Sequence, residues 1–196
     1  MENNSNKYKR EYYRYINCGH YTHALLFEFR RSNSPAYVQK LLSSFCSFVN
    51  RDYLGPRKGS MPERFIPMFA LPERQGLNFH YHAVIAVPDE YRKRFESVAP
   101  LIWKQVGEEY CNEERPVCGN FDQKRLLSRT DQKKFIWYIF KQFHRNPHDW
   151  FISPQFRPVS ANELRKRRPA RRPSGLPSKF GRCIYGPRPN EPVEDI

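Results

Sequence analysis

The sequence has no long apolar run. No segment approaches the roughly 18 consecutive apolar residues of a membrane-spanning helix. Residues 1–20 are polar and tyrosine-rich and lack the apolar stretch of a secretory signal. We therefore expect a cytoplasmic protein with no membrane partner.

Cysteine is also scarce, and the few cysteines show no pairing pattern. The chain has five of them, an odd number, and contains no Cys-x-x-Cys pair. Cys111 and Cys118 could bind a metal together, but free thiols in a reducing compartment are the favoured interpretation. The sequence also lacks a Gly-x-x-x-x-Gly-Lys phosphate loop, so we expect no fused helicase.

Acidic residues are outnumbered by basic ones. The 34 Lys and Arg residues against 20 Asp and Glu give a formal net charge of +14, and aromatic residues make up 15% of the chain. Phosphates attract such positive charge through counterion release, and aromatic rings stack on unpaired bases. The composition favours a nucleic-acid-binding protein. The alternatives are a basic protein that is merely soluble, or one that meets acidic membranes or proteins.

Composition divides the chain into three parts. We expect residues 1–20 to form a polar arm that is flexible or partly docked, residues 21–155 to form one domain, and residues 156–196 to form a basic, proline-rich tail. The tail has one run of cationic side chains, namely Arg165, Lys166, Arg167, Arg168, Arg171 and Arg172. Because such a run repels itself, we expect it either to hold DNA phosphates without reading bases or to be a disordered, solubilising end.

The hydrophobic periodicity of the central part predicts an α+β fold. Short apolar segments predict strands over residues 23–29, 64–71, 78–87 and 117–121, with 72–76 as the turn between the second and third strands. Apolar residues at helical spacing predict helices over residues 35–53, 88–106 and 130–143, the second kinked or split at Pro100. This order predicts a ferredoxin-like, split β-α-β arrangement, an antiparallel sheet with packed helices.

Two histidines stand out in the third predicted strand. Because side chains alternate between the faces of a strand, His80 and His82 project on one face and Phe79, Tyr81 and Ala83 on the other. Two imidazoles so placed can bind one divalent cation, or they can form a hydrogen-bonded structural pair. Their spacing alone leaves both possibilities open.

The last predicted helix carries a tyrosine outside its apolar face. The apolar residues fall within an arc of about 140° that faces the core. They are Phe135, Ile136, Ile139, Phe140 and Phe143. Tyr138 lies outside this arc, with Lys141 and Gln142 on the same surface, so it is either a half-buried boundary residue or a nucleophile. For Trp137 and Tyr81, packing in or beside the core is favoured over stacking on bases.

Together, the histidine pair and the helix tyrosine resemble the HUH endonuclease superfamily. The segment His80-Tyr81-His82 matches the histidine–hydrophobe–histidine motif of this family, with tyrosine in the middle. The segment Tyr138-Ile-Phe-Lys141 matches the Tyr-x-x-Lys motif of many rolling-circle replication initiators. The histidines precede the tyrosine, as in those initiators, whereas relaxases usually carry the tyrosine first. The resemblance covers residues 20–145.

This resemblance implies an HUH-type fold and an enzyme that nicks and rejoins single-stranded DNA to initiate rolling-circle replication of a plasmid, phage or mobile element. It implies Mg²⁺ or Mn²⁺ at His80 and His82, Tyr138 as the nucleophile that becomes linked to a 5′-phosphate, and Lys141 as an assisting cation. The implied partners are single-stranded DNA or a hairpin origin, and a host helicase. A single-tyrosine transposase and a non-catalytic, HUH-like accessory protein that binds nucleic acid or inhibits a partner are the alternatives.

The third metal ligand is left open between two residues. Glu28 lies on the adjacent predicted strand, on the face opposite Phe27 and Phe29, and offers a hard oxygen ligand. Gln142 follows Tyr138 by four residues, an arrangement similar to that of single-tyrosine transposases. Glu28 is slightly preferred, and a surface side chain without a ligand role is the alternative for each.

Overall fold

The computed structural model of the protein describes residues 4–30, 34–55, 64–75, 78–110, 117–141, 150–154 and 156–167. Within these residues the strands are β1 His23–Phe29, β2 Met68–Gln75, β3 Asn78–Ile85, β4 Cys118–Arg125 and β5 Phe151–Ile152. The α-helices are α1 Asn4–Cys18, α2 Pro35–Leu54, α3 Arg92–Glu109, α4 Arg129–Phe140 and α5 Ala161–Lys166.

The described strands form one antiparallel sheet in the order β4-β1-β3-β2-β5. Since β3 pairs antiparallel with both β1 and β2, these two strands run in the same direction on either side of it. The connection between them contains α2, and that between β3 and β4 contains α3. The predicted α+β class, with an antiparallel sheet and packed helices, is confirmed.

Helices cover both faces of the sheet. On one face α2 and α3 enclose an aromatic core in which Phe27 meets Trp103 edge to face at 4.8 Å. On the other face α1 and α4 enclose a second core in which Phe69 stacks on Phe140 at 5.7 Å. The alternation of side chains along each strand supplies both cores. Tyr81, for example, belongs to the first core and is completely buried, as the favoured interpretation predicts.

The segment expected to be a polar arm forms helix α1. Tyr13 meets Phe140 edge to face at 5.6 Å, and Ile16 is completely buried. The apolar stripe of this helix consists largely of tyrosines. Because of their hydroxyl groups, the sequence of this segment resembles that of a solvent-exposed one. Its helical structure therefore depends on packing against α4, which sequence periodicity does not report.

The first part of the segment expected to be a tail packs on the domain. Val159 and Leu164 are buried in the same core as α1 and α4. The guanidinium of Arg167 is also buried and donates to the main-chain oxygen of Phe65 at 2.9 Å. Residues 168–196 lie outside the described part of the chain.

The turn predicted at residues 72–76 is wrong. The pairing of β2 with β3 continues to Gln75 opposite Asn78, so Pro72 and Glu73 both lie within β2. Among the described residues β5 pairs only with the start of β2, which makes β2 an edge strand at Pro72. A proline is tolerated at an edge because no outer strand needs its missing N–H.

Pro100 does not split α3, which is continuous over its whole length. A proline leaves the carbonyl oxygen four residues earlier without its helical partner. Here that oxygen belongs to Glu96, and it accepts a hydrogen bond at 2.7 Å from the side-chain amide of Gln123 on β4. The predicted split does not occur, and a side chain of the neighbouring strand satisfies the carbonyl.

A buried glutamine fixes the first turn of α4. Gln132 is 1% exposed, its Nε2 donates to the Gly19 carbonyl at 2.7 Å, and its Oε1 accepts from the Tyr21 amide at 3.1 Å. These bonds tie the helix to the segment between α1 and β1.

Gln132→Ala should destabilise the protein by about 1–3 kcal/mol, because it leaves the buried Tyr21 amide without its partner, whereas the Gly19 carbonyl keeps a hydrogen bond from Arg129. The measurement is equilibrium unfolding in urea. Lys133→Ala, a change at the neighbouring exposed position, is the control and should stay within about 0.5 kcal/mol of the wild type. Equal losses in the two variants would contradict this role of Gln132.

A second polar cluster lies on the opposite face of the sheet from α4. Glu96 accepts hydrogen bonds from Arg125 on β4 and, at 2.9 Å, from His23 on β1. The Arg125 guanidinium, with a smaller contribution from His23, lowers the pKa of Glu96 to about 2. This cluster connects α3 to two strands.

Because the pKa of Glu96 is lowered in the folded state, its ion pair stabilises the protein above pH 4.5 and is lost as the pH falls towards 2. Glu96→Gln should therefore make the melting temperature less sensitive to pH between these values. Glu108→Gln, at an exposed position of the same helix, is the control and should keep the wild-type slope. An unchanged slope in Glu96→Gln would contradict the prediction.

Candidate metal and nucleophile site

Three side chains of the β2–β3 hairpin converge on the sheet face that carries α4. Glu73 lies opposite His80 in the strand register, and His82 follows two residues later on the same face. Glu73 Oε2 lies 3.2 Å from His80 Nε2 and 2.5 Å from His82 Nε2. One ligand atom from each residue falls within 4.8 Å of the other two.

This group is largely buried but reaches the surface. Glu73 is 5% exposed, whereas the two histidine side chains are 16% and 15% exposed. Burial lowers the pKa of His82, although the neighbouring Glu73 carboxylate opposes this shift. A lowered pKa favours the neutral imidazole, which is the form that can bind a metal ion.

The donor set fits a divalent cation. Two imidazole nitrogens and one carboxylate oxygen approach from the same side of the sheet, so a bound cation would keep open positions for water or a substrate oxygen. Manganese, iron and zinc all accept such a set, so the ligands do not select one metal. The same carboxylate also satisfies both imidazoles by hydrogen bonds, as the alternative of a structural pair requires.

Tyr138 joins this group from α4. Its hydroxyl donates to Glu73 Oε2 at 3.0 Å, and its ring meets that of His82 edge to face at 5.2 Å. Burial, together with the hydrogen bond to Glu73 and the charge of Glu73, raises the pKa of Tyr138 above its ordinary value. In this arrangement the residue is a phenol with an exposed edge, since 41% of the side chain is accessible.

The orientation of α4 agrees with its sequence. Ile136, Ile139 and Phe140 are buried beneath the helix, and Tyr138 lies outside this apolar face, as predicted. Trp137 differs from the prediction, because 62% of its side chain is exposed. Phe143, the last residue of the predicted apolar arc, is not among the described residues.

Of the two polar residues predicted to share the surface of Tyr138, Lys141 and Gln142, the structure describes only Lys141. Lys141 is the C-cap residue directly after α4, its amide donates to the Tyr138 carbonyl at 3.0 Å, and its side chain is exposed. It therefore lies on the same side of the helix as Tyr138, about one turn further on. Gln142, one of the two predicted third ligands, lies outside the described residues.

Glu28, the other predicted third ligand, lies close to the group without belonging to it. It is directly opposite His80 on β1 and is half-buried, but its carboxylate is not among the three ligand atoms that converge. Glu73 provides the carboxylate instead. The signal that could have identified Glu73 is the register of a two-residue connection after Gln75, which places residue 73 opposite residue 80.

A scan against protein-family models finds no match for this chain, and searches of the curated proteins and of the solved structures find no significant match either.

Beside the site lies a part of the sheet that the helices of the described residues do not bury. Asp122 and Lys124 on β4 are exposed, and Leu26 and Glu28 on β1 are half-buried. These side chains share the face of the histidines, and none belongs to the core beneath α1 and α4.

The cationic residues predicted to bind DNA have different surroundings. Arg165 and Lys166 are exposed in the last turn of α5. Arg167 is engaged inside the fold, where it also contacts Glu163 at 3.1 Å. Arg168, Arg171 and Arg172 lie outside the described residues.

Among the helices of the described part of the chain, none combines the length and the hydropathy that a bilayer span requires.

Proposed function

We propose that this protein is a metal-dependent, site-specific endonuclease that nicks and rejoins single-stranded DNA through a phosphotyrosine intermediate. In this proposal it initiates rolling-circle replication of a plasmid, phage or mobile element. The observation that carries the proposal is the convergence of the Tyr138 hydroxyl, His80 and His82 on the carboxylate of Glu73.

The fold supports this function. The first four strands have the order β4-β1-β3-β2, as in a ferredoxin-like sheet, and the histidine pair lies on the central strand β3. The helix with the tyrosine packs on the same face as the histidines. An HUH-type fold requires the histidine-bearing strand and the tyrosine-bearing helix to share one face of the sheet. We therefore include an HUH-type fold in the proposal.

The chemistry assigns a separate role to each side chain. A divalent cation held by Glu73, His80 and His82, with Mn²⁺ or Mg²⁺ proposed, would polarise the scissile phosphate. The Tyr138 oxygen forms a bond to phosphorus, while the bond from phosphorus to the 3′-oxygen breaks. The phenol proton passes to water on the exposed side of Tyr138, Glu73 remains a charged ligand, and water protonates the leaving oxygen.

The product is a 5′-phosphotyrosine and a free 3′-hydroxyl. Because a phosphodiester bond replaces a phosphodiester bond, a 3′-hydroxyl can later attack the tyrosine linkage and rejoin the strand. Lys141, exposed about one turn beyond the nucleophile, is positioned to attract the phosphate of the substrate. Arg165 and Lys166 add positive charge on α5.

The experiment uses the full chain and a labelled, random-sequence library of single-stranded DNA, because the target sequence is unknown. With Mn²⁺ or Mg²⁺ we expect a labelled protein–DNA adduct that survives denaturing electrophoresis, and none with EDTA. Cleavage without an adduct would replace the proposal with a hydrolytic metal nuclease. Binding without cleavage would favour the non-catalytic alternative.

A further inference from the structure

The outer face of α4 presents a large aromatic ring to solvent beside the nucleophile. Trp137 is 62% exposed and directly precedes Tyr138 in the helix. By contrast, Trp103 is 2% exposed in the core beneath the other face of the sheet. Ile136 and Ile139 are buried beneath the helix, whereas Trp137 lies outside this apolar face, so core packing does not account for its indole ring.

Three lysines lie three or four residues from Trp137 along the chain, which on a helix is about one turn away. Lys133, Lys134 and Lys141 are exposed, and within the described ranges none of them forms an ion pair. At about 1.5 Å of rise per residue, Lys134 and Lys141 lie about 10 Å apart along the helix, with Trp137 and Tyr138 between them. Such spacing allows both lysines to contact one backbone that runs along α4.

The helices on the two faces of the sheet also differ in charge. Helices α1 and α4 together contain seven basic residues and two acidic ones, whereas α2 and α3 contain six basic and four acidic ones. The positive excess is therefore larger on the face that holds the candidate site. A polyanion is the partner that this distribution favours.

We propose that Trp137 is a stacking platform for an unpaired base of single-stranded DNA, and that Lys133, Lys134 and Lys141 hold the adjacent phosphates. The inference rests on the proposed nickase function and deepens it by naming the surface that holds the strand next to Tyr138. An exposed indole ring with cations on both sides combines base stacking with backbone contact. A base in a duplex has no free face, so the platform selects single strands.

The test measures binding alone, by fluorescence anisotropy of a labelled oligothymidine in EDTA, so that no cleavage occurs. Trp137→Ala should bind roughly tenfold more weakly than the wild type, because one stacked base is lost. Trp137→Phe should recover most of the affinity, because it keeps an aromatic face. Leu127→Ala, which removes an apolar side chain that is 85% exposed before α4, is the matched control and should bind normally.

The dependence of affinity on salt concentration distinguishes the lysines from the tryptophan. Lys134→Ala should reduce the slope of log affinity against log salt by about 0.7, as expected for one lost phosphate contact, whereas Trp137→Ala should lower affinity without changing the slope. Affinity for a blunt duplex of the same length should not respond to Trp137→Ala. A wild-type affinity in Trp137→Ala, or an equal loss for the duplex, would overturn the platform.

This outcome is independent of the nickase assay. Loss of binding in Trp137→Ala without any covalent adduct in the wild type would support the platform and contradict the enzyme. A covalent adduct in the wild type, with unchanged binding in Trp137→Ala, would support the enzyme and contradict the platform.

Discussion

Tyr138→Phe should form no covalent adduct with single-stranded DNA under conditions in which the wild type does. The phenol oxygen is the atom that bonds to phosphorus, and phenylalanine offers no substitute. The ring can keep its edge-to-face contact with His82, so only the hydrogen bond to Glu73 is lost. We expect the free energy of unfolding to change by about 1 kcal/mol or less.

The matched control for this variant is Tyr15→Phe. Tyr15 lies on α1 and is 47% exposed, similar to the 41% of Tyr138, but it contacts Phe156 and not the histidines. It should form the adduct as the wild type does. If Tyr138→Phe and the wild type form equal amounts of adduct, the assignment of the nucleophile is wrong.

Glu73→Gln should remove most of the stabilisation of the protein by Mn²⁺. At about 100 times the dissociation constant, a bound ion stabilises the wild type by about 2.7 kcal/mol, which corresponds to a rise in Tm of roughly 5–10 °C. Loss of the carboxylate charge should weaken binding by about 100-fold or more. The same Mn²⁺ concentration should then raise Tm by only about 1 °C.

Glu28→Gln is the control that distinguishes the two carboxylates next to His80. Both face His80 across the sheet, but only Glu73 has its oxygen within hydrogen-bond distance of both histidines. Glu28→Gln should therefore keep the wild-type rise in Tm. The opposite pattern would make Glu28 the ligand, and the absence of any rise in the wild type would contradict a metal site.

The features that follow from local periodicity were predictable from the sequence. The alternation of a strand is enough to place His80 and His82 on one face, and the 100° step of a helix is enough to place Tyr138 outside the apolar arc. The class of fold follows from the order of such elements. Each of these inferences needs only neighbouring residues.

The features that depend on distant partners were not predictable in the same way. Glu73 becomes part of the site through the register of β2 against β3, and Pro72 obscured this register by indicating a turn. α1 and residues 156–167 gain their structure from a shared core with α4, where Ile16 and Leu164 are buried. Their own sequences are polar or basic, so no local signal predicts burial.

The most direct test of the central claim is to identify, by tandem mass spectrometry after nuclease digestion, the residue of the wild-type adduct that carries the nucleotide. The account predicts a nucleotide joined through its 5′-phosphate to Tyr138, together with a released DNA fragment whose 3′-hydroxyl a polymerase can extend. A nucleotide on any other residue, or a released fragment that ends in a 3′-phosphate, would contradict it.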